Sequence, residues 1–328
     1  MIQPRRNAVA GLVLSLGLAA AVWGAIATSA HATYAGPVGR IAFSDYTTGQ
    51  IYAINPDGSG LRQLTHGKPG SVSDSASWSP DGKQLIYAFS PTPETPARIW
   101  AMRANGSHVH RLAGDAKGFR DLAPSYGPNG RIIVYARCQP GDGVCAIWRM
   151  GADGSDRGPL TPYRAGTHET VDFDPVISPD GSQVAFARFF AGGVASRIFV
   201  VGINGGHPHA VTPATLEANA PDWSPSGNRL AFGTSSQRVG SSLFTIGSNG
   251  KGLTRVTPDR YPQNAIGPTF SPRGDRLAFA DDRRYSDHCC LDLFSIGLDG
   301  KRERRFAPGG KGRGLVNPAW GSAPLLAP

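Results

Sequence analysis

The sequence predicts an all-β fold, a six-bladed β-propeller with four antiparallel strands in each blade. Three observations lead to this prediction: a hairpin motif that returns along the chain, a spacing of 45 to 51 residues between equivalent turns, and chain ends that complement each other. The 328 residues include 43 glycines and 27 prolines, and 17% of them are charged. This composition is rich in turns and still supplies a large apolar core.

The first two strands of each unit flank a turn that contains proline and glycine. Copies of this hairpin are WSPDGKQLIYAF at 78–89, YGPNGRIIVY at 126–135, ISPDGSQVAF at 177–186, WSPSGNRLAF at 223–232 and FSPRGDRLAF at 270–279. Proline presets φ early in the turn, and glycine accepts a positive φ at its end. Local chemistry therefore predicts one hairpin in every unit.

The second pair of strands meets at an Asp-Gly or Asn-Gly turn. An aliphatic-aromatic run such as IYAI or IWRM stands before each turn glycine. These glycines are Gly58, Gly106, Gly154, Gly205, Gly250 and Gly300. Seven residues after each glycine stands a small residue: Thr65, Ala113, Thr161, Thr212, Thr257 and Ala307. The repeated columns predict four strands per unit, which is the size of a propeller blade.

The ends of the chain predict a closed ring. The segment GPVGRIAFS at 36–44 supplies a turn and a second strand without a first one, and NPAWGS at 317–322 supplies a first strand without its successor. Apolar residues occupy both faces of the strands, so each sheet is expected to pack between two others. Pairing of the C-terminal strand with the N-terminal blade then completes the sixth unit and leaves no open seam.

The motifs WSPDGxxLAF, I[YWF]xxxxDG and LT resemble the TolB-type, WD40-like β-propeller repeat over residues 36–322. The resemblance implies the fold and is a poor guide to activity. The namesake of the family has an α/β domain before its propeller and binds a peptidoglycan-associated lipoprotein. Only a few residues separate Ala32 from the first predicted strand, so we expect a stand-alone propeller without that domain.

The first 32 residues are predicted to be a signal peptide, which leaves 33–328 as the propeller domain. Two arginines precede an uncharged apolar run, and Ala30-His31-Ala32 fits the small-x-small pattern that signal peptidases cut. The mature chain is then expected to begin near Thr33. The run is also long enough for an uncleaved membrane anchor. Both alternatives predict a secreted, periplasmic or cell-envelope protein, with membrane attachment only through a retained N-terminal segment.

Charge narrows the classes of partner. The formal net charge is +9, and it is +7 without Arg5 and Arg6 because residues 1–32 contain no acid. A basic run extends from Lys301 to Arg305. It predicts either a surface for anionic polymers or a charged edge strand that discourages edge-to-edge pairing. Nucleic acid is not expected as a partner, since an exported chain without a recognisable binding motif gives no reason for it.

Candidate binding residues stand on the face that carries the longer loops, where binding on a rigid scaffold usually resides. An acid or amide occurs shortly before each innermost strand: Asp74, Asp121, Asp174, Asn219, Asn264 and Asn317. Six such groups around one mouth would bind a cation, a sugar or a peptide terminus. Alternatively, each side chain caps its own turn by accepting hydrogen bonds from nearby backbone amides.

The four cysteines form two sequence groups. Cys138 and Cys145 flank QPGDGV at the two sides of a hairpin, so an exported chain is expected to join them in a disulfide. Such a bridge would stabilise the fold by roughly 2–3 kcal/mol in the chain-entropy model. Cys289 and Cys290 are adjacent and follow His288. They would form a vicinal disulfide, pair with another molecule or offer soft metal ligands.

Catalytic motifs are weak by comparison. The sequence contains no H-E-x-x-H motif, no G-x-S-x-G elbow and no phosphate loop. The segment THETVDFD gathers His168, Glu169, Asp172 and Asp174, which would hold a metal or act as acid and base. The commoner reading of such a segment is a solvated polar loop.

The sequence therefore favours an exported, monomeric, non-enzymatic binding or scaffold protein. Its loop face is expected to bind an envelope or secreted protein, or an anionic cell-wall polymer. No cofactor is expected, apart from the alternative of a divalent cation. The competing hypothesis is a propeller enzyme of the lyase, lactonase or glycosidase type with a polar or metal site at the channel mouth.

Overall fold

A computed structural model describes residues 33–112, 117–141, 143–163, 170–190, 195–235, 241–258, 264–283, 290–310 and 312–326. Over these ranges the chain forms six four-stranded antiparallel sheets. The sheets are the blades of a propeller, and the first strand of each blade lies innermost, beside a central channel. The predicted six-bladed propeller is confirmed.

The strands follow one another blade by blade. Blade 1 contains β1 (Ile41–Asp45), β2 (Gln50–Ile54) and β3 (Arg62–Gln63), with β24 (Leu315–Trp320) as its inner strand. Blade 2 contains β4 (Val72–Trp78), β5 (Gln84–Ser90), β6 (Arg98–Arg103) and β7 (His110–Arg111). Blade 3 contains β8 (Arg120–Tyr126), β9 (Ile132–Cys138), β10 (Cys145–Gly151) and β11 (Gly158–Pro159).

The second half of the ring repeats the arrangement. Blade 4 contains β12 (Thr170–Ile177), β13 (Gln183–Phe190), β14 (Ser196–Gly202) and β15 (Gly205–Ala210), and a 3-10 turn follows at Ala214–Leu216. Blade 5 contains β16 (Ala218–Trp223), β17 (Arg229–Thr234), β18 (Leu243–Gly247) and β19 (Thr254–Arg255). Blade 6 contains β20 (Ile266–Phe270), β21 (Arg276–Asp281), β22 (Asp292–Gly297) and β23 (Arg304–Ala307).

Closure of the ring takes the predicted form. Strand β24 pairs antiparallel with β1, with Trp320 opposite Ile41 and Leu315 opposite Asp45. The N–H of Gly321 donates to the carbonyl of Arg40 at 3.0 Å just beyond the paired segment. The last strand thereby becomes the innermost strand of the first blade, and the ring has no open seam.

The core is distributed among the six interfaces between adjacent blades. Each interface holds its own cluster of buried apolar side chains. The tryptophans at the ends of three inner strands also make buried hydrogen bonds. The Trp78 indole N–H donates to the carbonyl of Ala319 at 3.1 Å, and that of Trp223 donates to the carbonyl of Val176 at 3.3 Å. Trp78 and Trp223 therefore bind the neighbouring blade by packing and by a hydrogen bond.

The Thr column also has a structural cause. Its hydroxyls accept hydrogen bonds, at 2.9 to 3.1 Å, from a backbone N–H within the first three residues of the third strand of the same blade. The pairs are Thr65 with Ile51, Thr161 with Ile147, Thr212 with Ile198, and Thr257 with Leu243. The hydroxyl therefore extends a very short outer strand, because four of the six fourth strands have only two residues.

The predicted disulfide is present: Cys138 and Cys145 are bonded and lie directly opposite each other on β9 and β10. Cys290 is also disulfide-bonded, whereas Cys289 lies outside the described residues. Nowhere in the described ranges does a helix have the length and apolar character needed to cross a membrane.

Candidate functional site in the central channel

A backbone irregularity in the inner strands shapes the channel. Each inner strand contains one residue with a left-handed φ, between +47° and +60°: Ser75, Ala123, Asp174, Ala220, Gly267 and Asn317. The pairing with the second strand of the blade shifts register around this point. Such a bulge changes the direction of its side chain. We call these six residues the bulge positions.

The bulge positions escaped the sequence analysis, although the sequence carries a sign of them. In five of the six blades the next residue is proline: Pro124, Pro175, Pro221, Pro268 and Pro318. The exception is Ala76 in blade 2. A small or polar residue before this proline column therefore marks the bulge of the inner strand.

The six predicted binding residues do not form a symmetric ring. Asp174 and Asn317 occupy bulge positions, and Asp74 and Asn219 lie one residue before them. Asp121 lies two residues and Asn264 three residues before the bulge. Successive strand residues point to opposite faces, so these different offsets send the side chains in different directions.

Three of the six predicted residues interact with one another beside the channel. The Asn317 amide donates to Oδ1 of Asp74 at 2.8 Å, and the backbone N–H of Ser75 donates to the same oxygen at 2.7 Å. Asp174 is 2% exposed. Its Oδ1 is buried and has no hydrogen-bond partner in the described part of the chain. We call Asp74, Asp174 and Asn317 the acidic cluster.

Electrostatics in the acidic cluster favour neutral or cation-bound carboxyl groups. Burial raises the pKa of Asp174 well above its ordinary value, and the charge of Asp74 raises it further. Burial also raises the pKa of Asp74, while hydrogen bonds from Ser44, Asn317 and Ser75 oppose that shift. No salt bridge between described residues reaches either carboxyl group. Burial therefore disfavours the charged form of both carboxyl groups, and a cation from outside would favour it.

Asp121 and Asp172 have a different environment, because each forms a buried ion pair within its blade. Asp121 accepts two hydrogen bonds from Arg137 at 2.7 and 3.0 Å, and Asp172 accepts two from Arg188 at 2.6 and 2.7 Å. Each partner lies directly opposite on the second strand. The Arg188 guanidinium also lies 4.8 Å from the ring centroid of Phe199. These carboxylates are neutralised and held in place.

The ion pair of Asp172 with Arg188 weakens the alternative in which the THETVDFD segment forms an acid-base site. Asp172 is bound to Arg188 and is fully buried, so a substrate in the channel would not reach its carboxylate. His168 and Glu169 lie outside the described residues. Among the described residues, no group of three His, Cys, Asp or Glu side chains could hold a metal ion.

The two remaining amides make local contacts. The Asn264 amide donates to Oδ2 of Asp282 at 3.0 Å. The Asn219 amide makes long contacts to the Glu217 carbonyl at 3.5 Å and to Oγ of Ser235 at 3.4 Å. These contacts fit the alternative in which such side chains support their own loops.

Part of the basic run is also engaged with acids. Arg305, on the outer strand of blade 6, lies 2.7 Å from Asp292. Arg313 forms a salt bridge with the buried carboxylate of Asp45. These arginines therefore connect the last blade and the closing segment to buried acids, which reduces the charge that they offer to a ligand.

The face with the tight turns has a basic groove of about 430 Å³ beside the C-terminal segment. Four cationic side chains line it: Arg40, Arg62, Lys83 and Arg103. Arg40 is buried, and burial followed by the nearby Arg62 lowers its pKa. No sequence motif predicted this groove, because its residues come from separate turns of blades 1 and 2 and from the C-terminal segment.

The comparisons with known proteins agree with this architecture. A family model described as the TolB beta propeller domain matches residues 167–321. Over this range, which is just under half of the chain, the sequence matches the TolB-type propeller family. The crystal structure of TolB from Acinetobacter baumannii superposes with a TM-score of 0.66 at 20% identity, over 86% of this chain and 66% of that one. The chain thus spans about two thirds of that TolB.

Other solved structures with the same fold include enzymes of different kinds. Kuenenia stuttgartiensis hydrazine synthase gives a TM-score of 0.69 at 14% identity, over 89% of this chain and 48% of that one. Oligogalacturonate lyase from Vibrio parahaemolyticus gives 0.58 at 12% identity, over 86% and 79%. At such identities the likeness concerns the fold alone, and function has to be argued from the site.

Proposed function

We propose that this TolB-type propeller is an exported binding protein that accepts a positively charged group of its partner at the loop-face mouth of the channel. The observation that supports it most directly is the buried, unpartnered Oδ1 of Asp174, close enough to Asp74 for the two charges to interact. A buried carboxylate without a partner is costly, and a cation that enters from outside removes that cost.

The geometry favours a small cationic group over a whole domain. The acidic cluster lies within the ring of inner strands, where only a side chain or a chain terminus of a folded partner would reach it. A lysine ammonium or a peptide α-amine would donate to Asp174 Oδ1, while Asp74 remains oriented by Asn317. The partner that we propose is therefore an envelope or secreted protein that presents such a group.

A divalent cation is a weaker candidate for the same position. Two carboxylates and one amide supply the hard oxygen ligands that Ca²⁺ and Mg²⁺ prefer, but Ca²⁺ takes about six to eight such ligands. The described residues hold no larger group of potential metal ligands. Catalysis has less support still, because Asp172 is paired with Arg188.

The decisive experiment is capture of a partner from an envelope fraction with the purified full chain as bait. Asp174→Asn and Asp74→Asn should each reduce retention of the partner at pH 8, because they remove the carboxyl groups that would ionise on binding a cation. Asp81→Asn is the matched control, because Asp81 is exposed on the opposite, tight-turn face beside Lys83. Equal retention by the wild type and both cluster variants would refute the proposed site.

Simple probes then identify the charged group. N-acetyl-lysine amide, calcium chloride and magnesium chloride are titrated separately against the wild type, and the unfolding temperature is followed. A shift with the lysine derivative that disappears in Asp174→Asn supports a side-chain ligand. A shift with Ca²⁺ or Mg²⁺ alone would transfer the site to a metal ion.

A second candidate function rests on the basic groove. Arg62, Lys83 and Arg103 are exposed there around a 430 Å³ recess, an arrangement that suits an anionic cell-wall polymer. Binding of polyphosphate or polygalacturonate should weaken with added salt and in Arg62→Gln combined with Arg103→Gln. Retention of polymer by that double variant would exclude the groove.

A further inference from the structure

The start of the described chain lies inside the propeller. Thr33 is 1% exposed, and its hydroxyl donates to Oδ2 of Asp222 at 3.1 Å. The same hydroxyl lies 3.2 Å from that of Thr269. Tyr34 follows and donates its hydroxyl to the carbonyl of Tyr126. Three inner strands, β16, β20 and β8, thus hold two consecutive residues at the tight-turn end of the channel.

Asp222 is unusual among the buried acids. Its Oδ2 accepts from the backbone N–H of Phe270 at 2.6 Å, and the backbone of Thr33 also hydrogen-bonds to the carboxyl group. Its Oδ1 is buried without a hydrogen-bond partner in the described part of the chain. Burial raises the pKa of Asp222 to about 8, although these hydrogen bonds oppose the shift. The site is shaped for a carboxylate but provides too little positive charge for one.

Other buried aspartates have a cationic partner, which Asp222 lacks among the described residues. Asp121, Asp172 and Asp281 each lie within 2.7 Å of an arginine nitrogen on their own blade. Across the described ranges no salt bridge is formed by Asp222. The nitrogen that reaches its carboxyl group from outside the inner strands is the backbone nitrogen of Thr33.

We infer that cleavage between Ala32 and Thr33 supplies the missing cation, and that the new α-ammonium group of Thr33 forms a buried ion pair with Asp222. Hydrolysis of this peptide bond consumes one water, leaves a carboxylate on Ala32 and leaves an amine on Thr33. An α-amine has an ordinary pKa of about 8 and binds a proton at neutral pH. The neutral amide donor of the uncleaved chain becomes a charged donor with up to three N–H bonds.

The ion pair would couple export to completion of the fold. In an uncleaved chain the nitrogen of Thr33 belongs to a peptide bond, so Asp222 faces an amide instead of an ammonium. In a cleaved chain the terminus fits within the ring and closes the tight-turn end of the channel. Ligands would then enter the channel from the loop face. The residues that carry this inference are separate from the acidic cluster, so it does not depend on the proposed function.

The first test is the identity of the processed terminus. The full chain is expressed in an exporting host, and the purified protein is examined by intact mass and N-terminal sequencing. We expect Thr33 as the first residue and the tryptic peptide TYAGPVGR, residues 33–40, with a free amine. A terminus at any other residue would overturn the inference.

The second test measures protection of the α-amine. Native processed protein is exposed to an acetylating N-hydroxysuccinimide ester, and the fraction of acetylated TYAGPVGR is followed with time. We expect acetylation to be roughly tenfold slower in the wild type than in Asp222→Asn, because a buried ion pair limits access. Asp172→Asn, a change in another buried aspartate on an inner strand, should leave the slow rate unchanged. Equal rates in wild type and Asp222→Asn would refute the ion pair.

A third test remains informative if Asp222→Asn fails to fold. One glycine inserted between Ala32 and Thr33 displaces the amine by about 3.8 Å, the distance between consecutive Cα atoms. The processed insertion variant should have a lower unfolding temperature and fast acetylation. An insertion variant as stable and as protected as the wild type would show that the amine has no specific partner.

Discussion

Asp174 gives the most informative prediction about stability. Burial raises its pKa in the folded protein well above the ordinary value of an aspartate. Between that ordinary value and the folded-state pKa, the folded protein binds a proton that the unfolded chain has already lost. The free energy of unfolding therefore decreases as pH rises through this window. The stabilising contribution is complete only below the ordinary pKa, near pH 4.

The magnitude follows from proton linkage. One additional bound proton in the folded state lowers the free energy of unfolding by about 1.4 kcal/mol for each pH unit. Asn cannot ionise, so Asp174→Asn removes this loss. The variant should therefore gain stability over the wild type as pH rises above the ordinary pKa of aspartate, with a limiting slope of about 1.4 kcal/mol for each pH unit.

Urea unfolding at pH values from 4.5 to 8 measures this difference directly. Asp81→Asn is the control, since the Ser79 hydroxyl lowers the pKa of Asp81 and gives the opposite, weaker dependence at an exposed site. A constant stability difference between Asp174→Asn and the wild type at every pH would refute the argument. The comparison within one fold cancels the pH dependence of Asp222 and of the other acids that do not interact with Asp174.

Three further predictions concern the framework. Arg188→Met leaves Asp172 buried and unpaired, so the free energy of unfolding measured in urea should fall by about 3–5 kcal/mol. Adding Asp172→Asn should restore part of this loss. A double variant without recovery would contradict the ion-pair argument. Ala220→Gly relieves the strain of a left-handed backbone and should raise the free energy of unfolding by about 1 kcal/mol, seen as a higher unfolding temperature. A lower unfolding temperature would show that the lost methyl contacts matter more than the backbone strain. Replacing Cys138 and Cys145 with serine should cost roughly 2–3 kcal/mol in the same urea assay. Thiol labelling of the denatured, unreduced wild type should leave both cysteines unmodified, and labelling of either would refute the bridge.

The blade architecture was predictable because its determinants are local. In the WSPDG hairpin, the Ser79 hydroxyl accepts the N–H of Gln84 at 3.0 Å and donates to Asp81 at 2.7 Å, all within six positions of the sequence. Thr65 accepts the N–H of Ile51 only fourteen residues away. Contacts of this range repeat with the sequence period, so the number of strands and blades can be read from one chain.

The candidate site was only partly predictable. Asp121 and Asp174 have similar places in the sequence, each shortly before or within an inner strand, yet one is neutralised by arginine and the other has an unpartnered oxygen. Their difference depends on the register relative to the bulge. A spacing of sixteen residues between Asp121 and Arg137, repeated in Asp172 and Arg188, was a usable signal for the ion pairs.

The sequence by itself determined the blade, the number of blades and the closure of the ring, because turns, strand alternation and hydroxyl caps act over short distances. The tertiary structure decided which polar groups meet in the channel. Asn317 reaches Asp74 across 243 residues of sequence, and Thr33 reaches Asp222 across 189. These contacts depend on ring closure and on bulges that turn single side chains, and a local pattern of residues does not encode either one.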